Sequence, residues 1–316
     1  MKVTAVAAAV IERPDGRFLL GQRAADTVYA GYWEFPGGKV EAGETPRQAL
    51  LRELREELAI EVTRADPWLL REHTYEHAQV RLHFFRVRAW RGEPLPRVHR
   101  ALVWQTPGAA NNCNCAVAPM LPANAPVLAA LTLPDFYAIT HAGDIGVAAQ
   151  LAALDRALAG GLRLVQVREP RLAAAQRAEF ARAVVSRCHA AGARVLINGD
   201  AALARAVHAD GVHLPAAQLA ECAARPDFPL VAASCHTRAE LDRAARLGCD
   251  FAVFGPVRAT ATHSEQAGIG WDGLAAQLAV PPTPTFALGG LSRADLDAAR
   301  AAGAHGIAAI RAAWGE

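Results

Sequence analysis

The chain has 316 residues, a formal net charge of +2 and six cysteines. Near-balanced charge excludes the strongly basic surface that grips nucleic acid, and the length exceeds what one ordinary domain uses. The cysteines form no spaced framework and no apolar run is long enough to span a bilayer, so a cytoplasmic protein without membrane or nucleic-acid partners is expected.

Alternating apolar residues predict strands over 4–11 and 18–22, joined by a turn at Glu12-Arg13-Pro14-Asp15-Gly16, and further strands over 69–75 and 80–89. Between the two pairs, Thr45-Pro46-Arg47-Gln48 has the form of a capping box with proline at the first helical position. The helix it opens places Leu50, Leu51, Leu54 and Leu58 on a buried side and Glu53, Glu56 and Glu57 at helical spacing on another. Three carboxylates so arranged repel unless a cation lies among them, which is what a phosphate-cleaving site for a hard divalent ion needs. An acidic helix alone reads as a solvated face. Here it follows the glycine-rich turn Glu34-Phe35-Pro36-Gly37-Gly38, with Gly43-Glu44 in register.

Gly38, Glu44, Arg52, Glu53, Leu54, Glu56, Glu57 and Ile60 together resemble the Nudix box, with Ala59 standing where that pattern has glycine. The resemblance implies Mg²⁺, with Mn²⁺ as the alternative, held by Glu57, Glu56 and the Gly37 carbonyl. Glu53 would lie beside it to orient or deprotonate water, and Arg52 would hold the carboxylates by bidentate pairing. Gly21-Gln22-Arg23, Trp33 to Lys39 and Leu121-Pro122-Ala123-Asn124-Ala125-Pro126 extend the likeness to the MutT-type 8-oxo-dGTP diphosphatases. That closer likeness implies nucleotide contacts from Arg23 and from Glu34, Phe35, Pro36 and Gly37, with Phe35 in the pocket wall and the Asn124 amide reading the oxidised purine. The other role open to Asn124 is an Asx turn before Pro126. One departure concerns the metal: a further acidic ligand, counted back from Trp104, falls on Val98, and Arg97-Val98-His99-Arg100 has no carboxylate. Either Glu44 or a water then completes the metal sphere, or turnover is weakened. The stretch 109–118 looks like an insertion, and its Cys113 and Cys115 read as an ordinary surface loop.

The proline-spaced segment 119–134 closes a first domain, taken as residues 1–131 and expected as a Nudix α/β/α sandwich around a mixed sheet. Residues 132–316 change character. Eight short apolar runs, over 136–140, 164–168, 195–198, 211–214, 230–234, 251–255, 285–289 and 306–310, alternate with alanine-rich amphipathic helices and predict a (β/α)8 TIM barrel. Arg168, Asn198, His213, Ser234, Thr260, Thr262, Gly289 and Gly290 fall at the C-terminal ends of these runs, the face that binds ligands in such barrels.

The order Gln166-Val167-Arg168-Glu169, Leu196-Ile197-Asn198, Gly211-Val212-His213-Leu214, Ser234-Cys235-His236, Thr260-Ala261-Thr262 and Leu288-Gly289-Gly290-Leu291 resembles thiamine phosphate synthase and its relative TenI. It implies a phosphorylated thiazole- or thiamine-like ligand, its phosphate cradled by the amides of Gly289, Gly290 and the turn after Ile310. The chain departs from the pattern where chemistry would be done. Gly199 and Gln218 stand at the two magnesium aspartates, Pro170 and His263 at two lysines, and Pro256 at the tautomerase histidine. Asp200 would substitute only if its loop shifted by one residue; His213 and His263 remain as acid/base or structural groups. The barrel is therefore expected to be a degenerate ligand-binding or regulatory domain, with weak synthase activity as the alternative.

The resemblances imply hydrolysis of 8-oxo-dGTP to 8-oxo-dGMP and pyrophosphate, a nucleotide-pool sanitation role in DNA repair. A hydrolase of thiamine-related diphosphates and a noncatalytic metabolite sensor are the other readings. The oligomeric state is not legible.

Overall fold

The computed structural model describes residues 3–76, 78–108, 117–259, 268–279 and 281–315. The chain divides into two compact units, Met1–Leu133 and Pro134–Glu316.

In the first unit, the strands are β1 (Val3–Ile11), β2 (Phe18–Gln22), β3 (Trp33–Glu34), β4 (Gly37–Lys39), β5 (Glu61–Thr74), β6 (Gln79–Arg91) and β7 (Ala101–Gln105), with helices α1 (Pro46–Leu58) and α2 (Ala125–Leu131). A four-stranded mixed sheet runs β4-β1-β6-β5, and a second sheet runs β3-β2-β7. Strand β1 is parallel to β6 and antiparallel to β4, so it lies inside its sheet with both faces covered. Ala7, Ala9 and Ile11 pack with Leu50, Leu54 and Leu58 of α1, whereas Ala8 and Val10 join the cluster that contains Val127, Leu128 and Leu131 of α2. The two-residue period of the strand thus sends alternate side chains to helices on opposite faces, the expected sandwich. Strand β5 begins at Glu61, eight residues before the predicted 69–75, and register shifts at Val62, Arg64 and Pro67 break the alternation that pattern reading depends on.

The ends of α1 follow its side-chain chemistry. Thr45 Oγ1 accepts from the Gln48 amide at 3.3 Å and Gln48 Oε1 accepts from the Thr45 amide at 2.8 Å, which closes the capping box. At the other end Ala59 takes the left-handed conformation, φ 58° and ψ 28°, and its amide bonds back to the carbonyls of Leu54 and Arg55. A Cβ is strained there, which explains why the Nudix pattern has glycine at this position.

The second unit is a closed barrel of eight parallel strands: β8 (Phe136–Ile139), β9 (Leu164–Val167), β10 (Arg194–Asn198), β11 (Gly211–Leu214), β12 (Leu230–Cys235), β13 (Phe251–Phe254), β14 (Thr285–Leu288) and β15 (Gly306–Ala309). Val165, Val167, Val195, Ile197, Val212, Leu214, Val231 and Ala233 pack in the core shared with the surrounding helices. By alternation, Gln166, Asn198, His213 and Ser234 belong to the opposite, inward set. Tyr137, Phe251 and Phe286 fill the interior with ring centroids 5.1–5.9 Å apart.

Replacing Ala59 with glycine should relieve the left-handed residue and stabilise the first unit by ~1 kcal/mol. A denaturant titration that showed no gain would mean the helix exit carries no strain.

Candidate active site and barrel pocket

The acidic flank of α1 meets the turn after β3 because Gly37 and Gly38 pair with Ala8 and Ala7 of β1. A Cβ on Gly37 would collide with the Ala7 carbonyl, and one on Gly38 would overlap the Glu53 carboxylate. Two glycines in sequence are therefore a steric requirement: they let the helix lay its carboxylates against strand backbone. Glu57 Oε2 accepts from the Gly37 amide at 3.2 Å.

Arg52 organises the rest. Its Nε and Nη2 donate to the two oxygens of Glu44 at 2.8 and 3.0 Å, and its Nη1 donates to Glu53 Oε1 at 2.9 Å and Glu56 Oε2 at 3.3 Å. The guanidinium holds the Glu44 carboxyl well below the usual range, at about 2. Glu44 is turned to Arg52, which leaves water as the candidate for the coordination position that Val98 cannot fill. The Val98 side chain is itself 54% exposed.

Glu57 is the one carboxylate of the group that Arg52 does not reach. Burial pushes its pKa up to about 7, and the like charges of Glu53 and Glu34 add to that, opposed by His99 and the Gly37 amide. A desolvated acid beside two others is a site short of positive charge, so the donor set fits a hard divalent cation. Glu57, Glu56 and the Gly37 carbonyl are the groups that would hold it. Glu56 has a side chain 60% exposed, and among the described residues no three acidic, imidazole or thiol groups already converge as a cation cage.

The remaining nucleotide-site candidates lie on adjoining segments, since Trp33 bridges to Met120 and Tyr75 lies near Arg23, Glu34 and Ala123. Arg23 donates from Nη1 to both oxygens of Glu34 at 2.8 and 2.7 Å and from Nε to the Val28 carbonyl at 2.8 Å. Pro36 contributes its carbonyl to the Ala9 amide at 2.8 Å. Phe35 is 3% exposed and its ring packs between Phe18 and Phe84, both at 5.8 Å. Its neighbours Trp33 and Gly37 are fixed by sheet pairing, and the intervening alternation turns the ring into the core. Asn124 is buried just before α2 but makes no capping bond, so the Asx-turn alternative is not what it does; its Nδ2 meets Met120 Sδ at 3.8 Å.

His99 is a residue that counting missed. It is buried, its ring lies where a Cβ on Gly21 would project, and its Nε2 is 3.8 Å from Glu34 Oε1. The signal available in the sequence was Gly21 in the middle of an otherwise apolar strand, the mark of a close approach.

In the second unit, a cavity of about 1290 Å³ opens at the C-terminal ends of the strands, lined by Arg168, Asn198, Ser234, Gly289 and Gly290 among others. His213 Nε2 and Ser234 Oγ are 2.8 Å apart, His213 Nδ1 and the Tyr137 hydroxyl 3.3 Å, and Gln166 Nε2 donates to that hydroxyl at 3.1 Å. Burial, and then the charge of Arg168, push the His213 pKa down to about 3, so this imidazole is neutral at physiological pH. Thr260, Thr262 and His263 lie outside the described residues, as do Cys113 and Cys115; Cys188, Cys222, Cys235 and Cys249 are free thiols.

Comparison with known proteins agrees with both halves. The model for thiamine monophosphate synthase matches residues 136–313, and that for the NUDIX domain matches residues 7–121. The chain belongs to both families. Its NUDIX half is 44% identical over 130 residues to the CTP pyrophosphohydrolase of Escherichia coli, covering 41% of this chain and 92% of that one. It is also 42% identical over 88 residues to the 8-oxo-dGTP diphosphatase of Proteus vulgaris, covering 28% and 79%. The synthase half is 35% identical over 178 residues to the thiamine-phosphate synthase of Herpetosiphon aurantiacus, covering 56% and 86%.

Within the synthase-family barrel, the two positions where the family resemblance implies magnesium carboxylates face each other without any acid: Gln218 Nε2 donates to the Gly199 carbonyl at 2.9 Å. Asp200 does not move in to replace them. It caps the helix Ala201–Ala206 by accepting from the Leu203 amide at 2.8 Å, and it lies 3.7 Å from Arg177. No helix among the described residues is long and apolar enough to cross a membrane.

The partly buried Glu57 sets a pH dependence for the metal-free protein. Its folded pKa lies above the ordinary 4.5, so its contribution is fully present below that value and is lost as pH rises through about 7. At most ~3 kcal/mol of first-unit stability should disappear across that window, and Glu57→Gln should flatten the loss. Chemical denaturation at several pH values in EDTA checks this; an unchanged slope in the variant would remove Glu57 as the source.

Proposed function

We propose that the NUDIX unit hydrolyses a nucleoside triphosphate to the monophosphate and pyrophosphate with Mg²⁺, and that 8-oxo-dGTP is its substrate in a nucleotide-sanitation role. The observation that carries the reading is the Glu53 carboxylate, packed on Gly38 and fixed by Arg52 beside the charge-deficient Glu57. When bound, the cation would neutralise diphosphate charge and make a neighbouring water more acidic.

The protein's own groups do the rest. Glu53, fixed in one rotamer by Arg52, accepts the proton of the attacking water as its oxygen bonds to phosphorus. The phosphorus–oxygen bond to the leaving pyrophosphate breaks, and the monophosphate keeps the water oxygen. Partial burial of Glu57 strengthens its hold on positive charge. Arg23 and Asn124 form the nucleoside end: the Asn124 amide is not used for capping and can donate and accept at a base edge. A specific observation favours CTP as a second substrate, since the E. coli relative that is 44% identical bears that activity in its name.

The barrel, in the same reading, binds a phosphorylated thiamine-related ligand and does not synthesise one, because Gly199 and Gln218 provide no carboxylate at the implied metal positions.

Steady-state hydrolysis of 8-oxo-dGTP, dGTP, CTP, ADP-ribose and thiamine diphosphate, followed by chromatography of the products of each, tests the proposal. Turnover of 8-oxo-dGTP should exceed that of dGTP and require Mg²⁺, and Glu53→Gln should lower kcat by roughly 10²–10⁴-fold. Preferential cleavage of thiamine diphosphate would replace the nucleotide reading, and an undiminished Glu53→Gln rate would end the hydrolase mechanism. Asn124→Ala should cost about 1–3 kcal/mol in kcat/KM for the preferred base if the amide contacts it. Equal losses on all five compounds would assign Asn124 to packing instead.

A further inference from the structure

His99 is a buried polar group of the first unit that the hydrolase reading leaves without a role. It lies on the bent segment before β7, which is tied down on both sides: the Arg97 amide donates to the Glu57 carbonyl at 3.0 Å and the Arg100 amide to the Gln22 carbonyl at 2.8 Å. The segment therefore bridges the end of α1 and the end of β2. Val98 is 54% exposed, whereas the His99 side chain is 4% exposed and turns inward. Only a glycine at position 21 makes room for that ring. A Cβ there would lie 2.3 Å from the ring's Cδ2, 2.6 Å from Nε2 and 2.7 Å from Cγ, so this edge faces β2 and Nδ1 lies on the other edge.

The two ring nitrogens have different surroundings. Nε2 is 3.8 Å from Glu34 Oε1, and Glu34 is itself fixed by two bonds from Arg23. An ionised carboxylate only accepts, so in the neutral imidazole the proton belongs on Nε2 and Nδ1 presents a lone pair. Among the described residues nothing donates to that buried nitrogen. An acceptor taken out of water without a donor carries its full desolvation cost, and such a group calls for a ligand, an ion or an ordered water.

The neighbourhood selects among these. Burial raises the Glu57 pKa and the His99 ring is the strongest influence against it, which sets the ring near the carboxylates that would hold the cation. A hard cation such as Mg²⁺ takes oxygen ligands and keeps several waters, so an imidazole nitrogen is a poor direct ligand for it. Water polarised by such a cation is a strong donor, and a lone pair on Nδ1 is a matching acceptor.

We propose that His99 Nδ1 accepts a hydrogen bond from a water in the shell of the NUDIX cation, which makes His99 a positioning residue of the metal site. This rests on the metal-dependent reading of the first unit and deepens it. Glu34 behind Nε2 orients the ring, and Arg23 orients Glu34. A line of side chains thus runs from the nucleoside end of the site to its metal end, and Gly21 is required because it admits the ring.

Calorimetric titration of the intact chain with Mn²⁺ and chemical denaturation in EDTA, each on wild type, His99→Leu and His99→Asn, test this. Leucine fills the space of the ring without the lone pair, whereas the asparagine amide offers an acceptor oxygen near the position of Nδ1. His99→Leu should weaken Mn²⁺ binding about 10–100-fold while its stability in EDTA is unchanged or higher, because the unpaired acceptor is gone. His99→Asn should bind within about threefold of wild type, since its amide can still accept. Wild-type affinity in His99→Leu overturns the assignment, as does an equal loss in both variants with lowered stability in EDTA, the pattern of a packing defect. A nitrogen bonded directly to the metal in the electron spin-echo spectrum of the Mn²⁺ complex overturns the intervening water. Failure of the wild-type chain to bind Mn²⁺ removes the metal-dependent reading itself, a result distinct from any difference between the variants.

Discussion

Glu44, Glu53 and Glu56 each place a carboxylate oxygen within 3.3 Å of a single guanidinium, that of Arg52, and this ion cluster is what the NUDIX site is built on. Without it, acids on one helix flank and the preceding turn would spread into solvent. The planar fork satisfies Glu44 with two parallel bonds and still has Nη1 for Glu53, a division that a lysine ammonium on a flexible stem cannot reproduce. Because Glu53 is fixed from the helix side, Gly38 can receive it from the strand side, and the absence of a Cβ becomes a packing requirement. Glu57 lies outside the guanidinium's reach, and its burial and the like charges of Glu53 and Glu34 raise its pKa.

The barrel meets the problem of buried polarity by a different route. Its inward-facing Gln166, Tyr137, His213 and Ser234 are neutral and hydrogen-bonded in sequence, so they need no counter-ion. Where the cavity opens, its described lining carries arginine and no acid. The two sites thus have opposite electrostatic character: the first gathers carboxylates around Arg52, and the described lining of the second carries arginine without acid.

Much of this was legible from side-chain order. The capping box at Thr45 and Gln48, the apolar face of Leu50, Leu54 and Leu58, and the eight barrel strands depend on local periodicity, and each strand lies within two residues of its predicted limits. Strand β5 was read short because bulges break its period; β3 and β4, at two and three residues, carry too little pattern to be read, and β7 was also missed. Side-chain order showed neither the packing of the Phe35 ring between Phe18 and Phe84 nor the buried His99 beside Glu34. Both outcomes turn on which way a side chain points after a turn, which spacing along the chain does not encode.

The sequence by itself determined the two folds, the acidic helix with its glycine turn and the loss of acids at Gly199 and Gln218, since these follow from residue type and short-range spacing. Only the tertiary structure decided that Arg52 claims Glu44, that Glu57 is desolvated beside Glu53 and Glu34, that Asp200 is consumed as a helix cap, and that Arg168 and Arg311 share a cavity. Those facts depend on which distant segments the chain brings within a few ångströms, and burial and pairing energies exist only once that approach has been made.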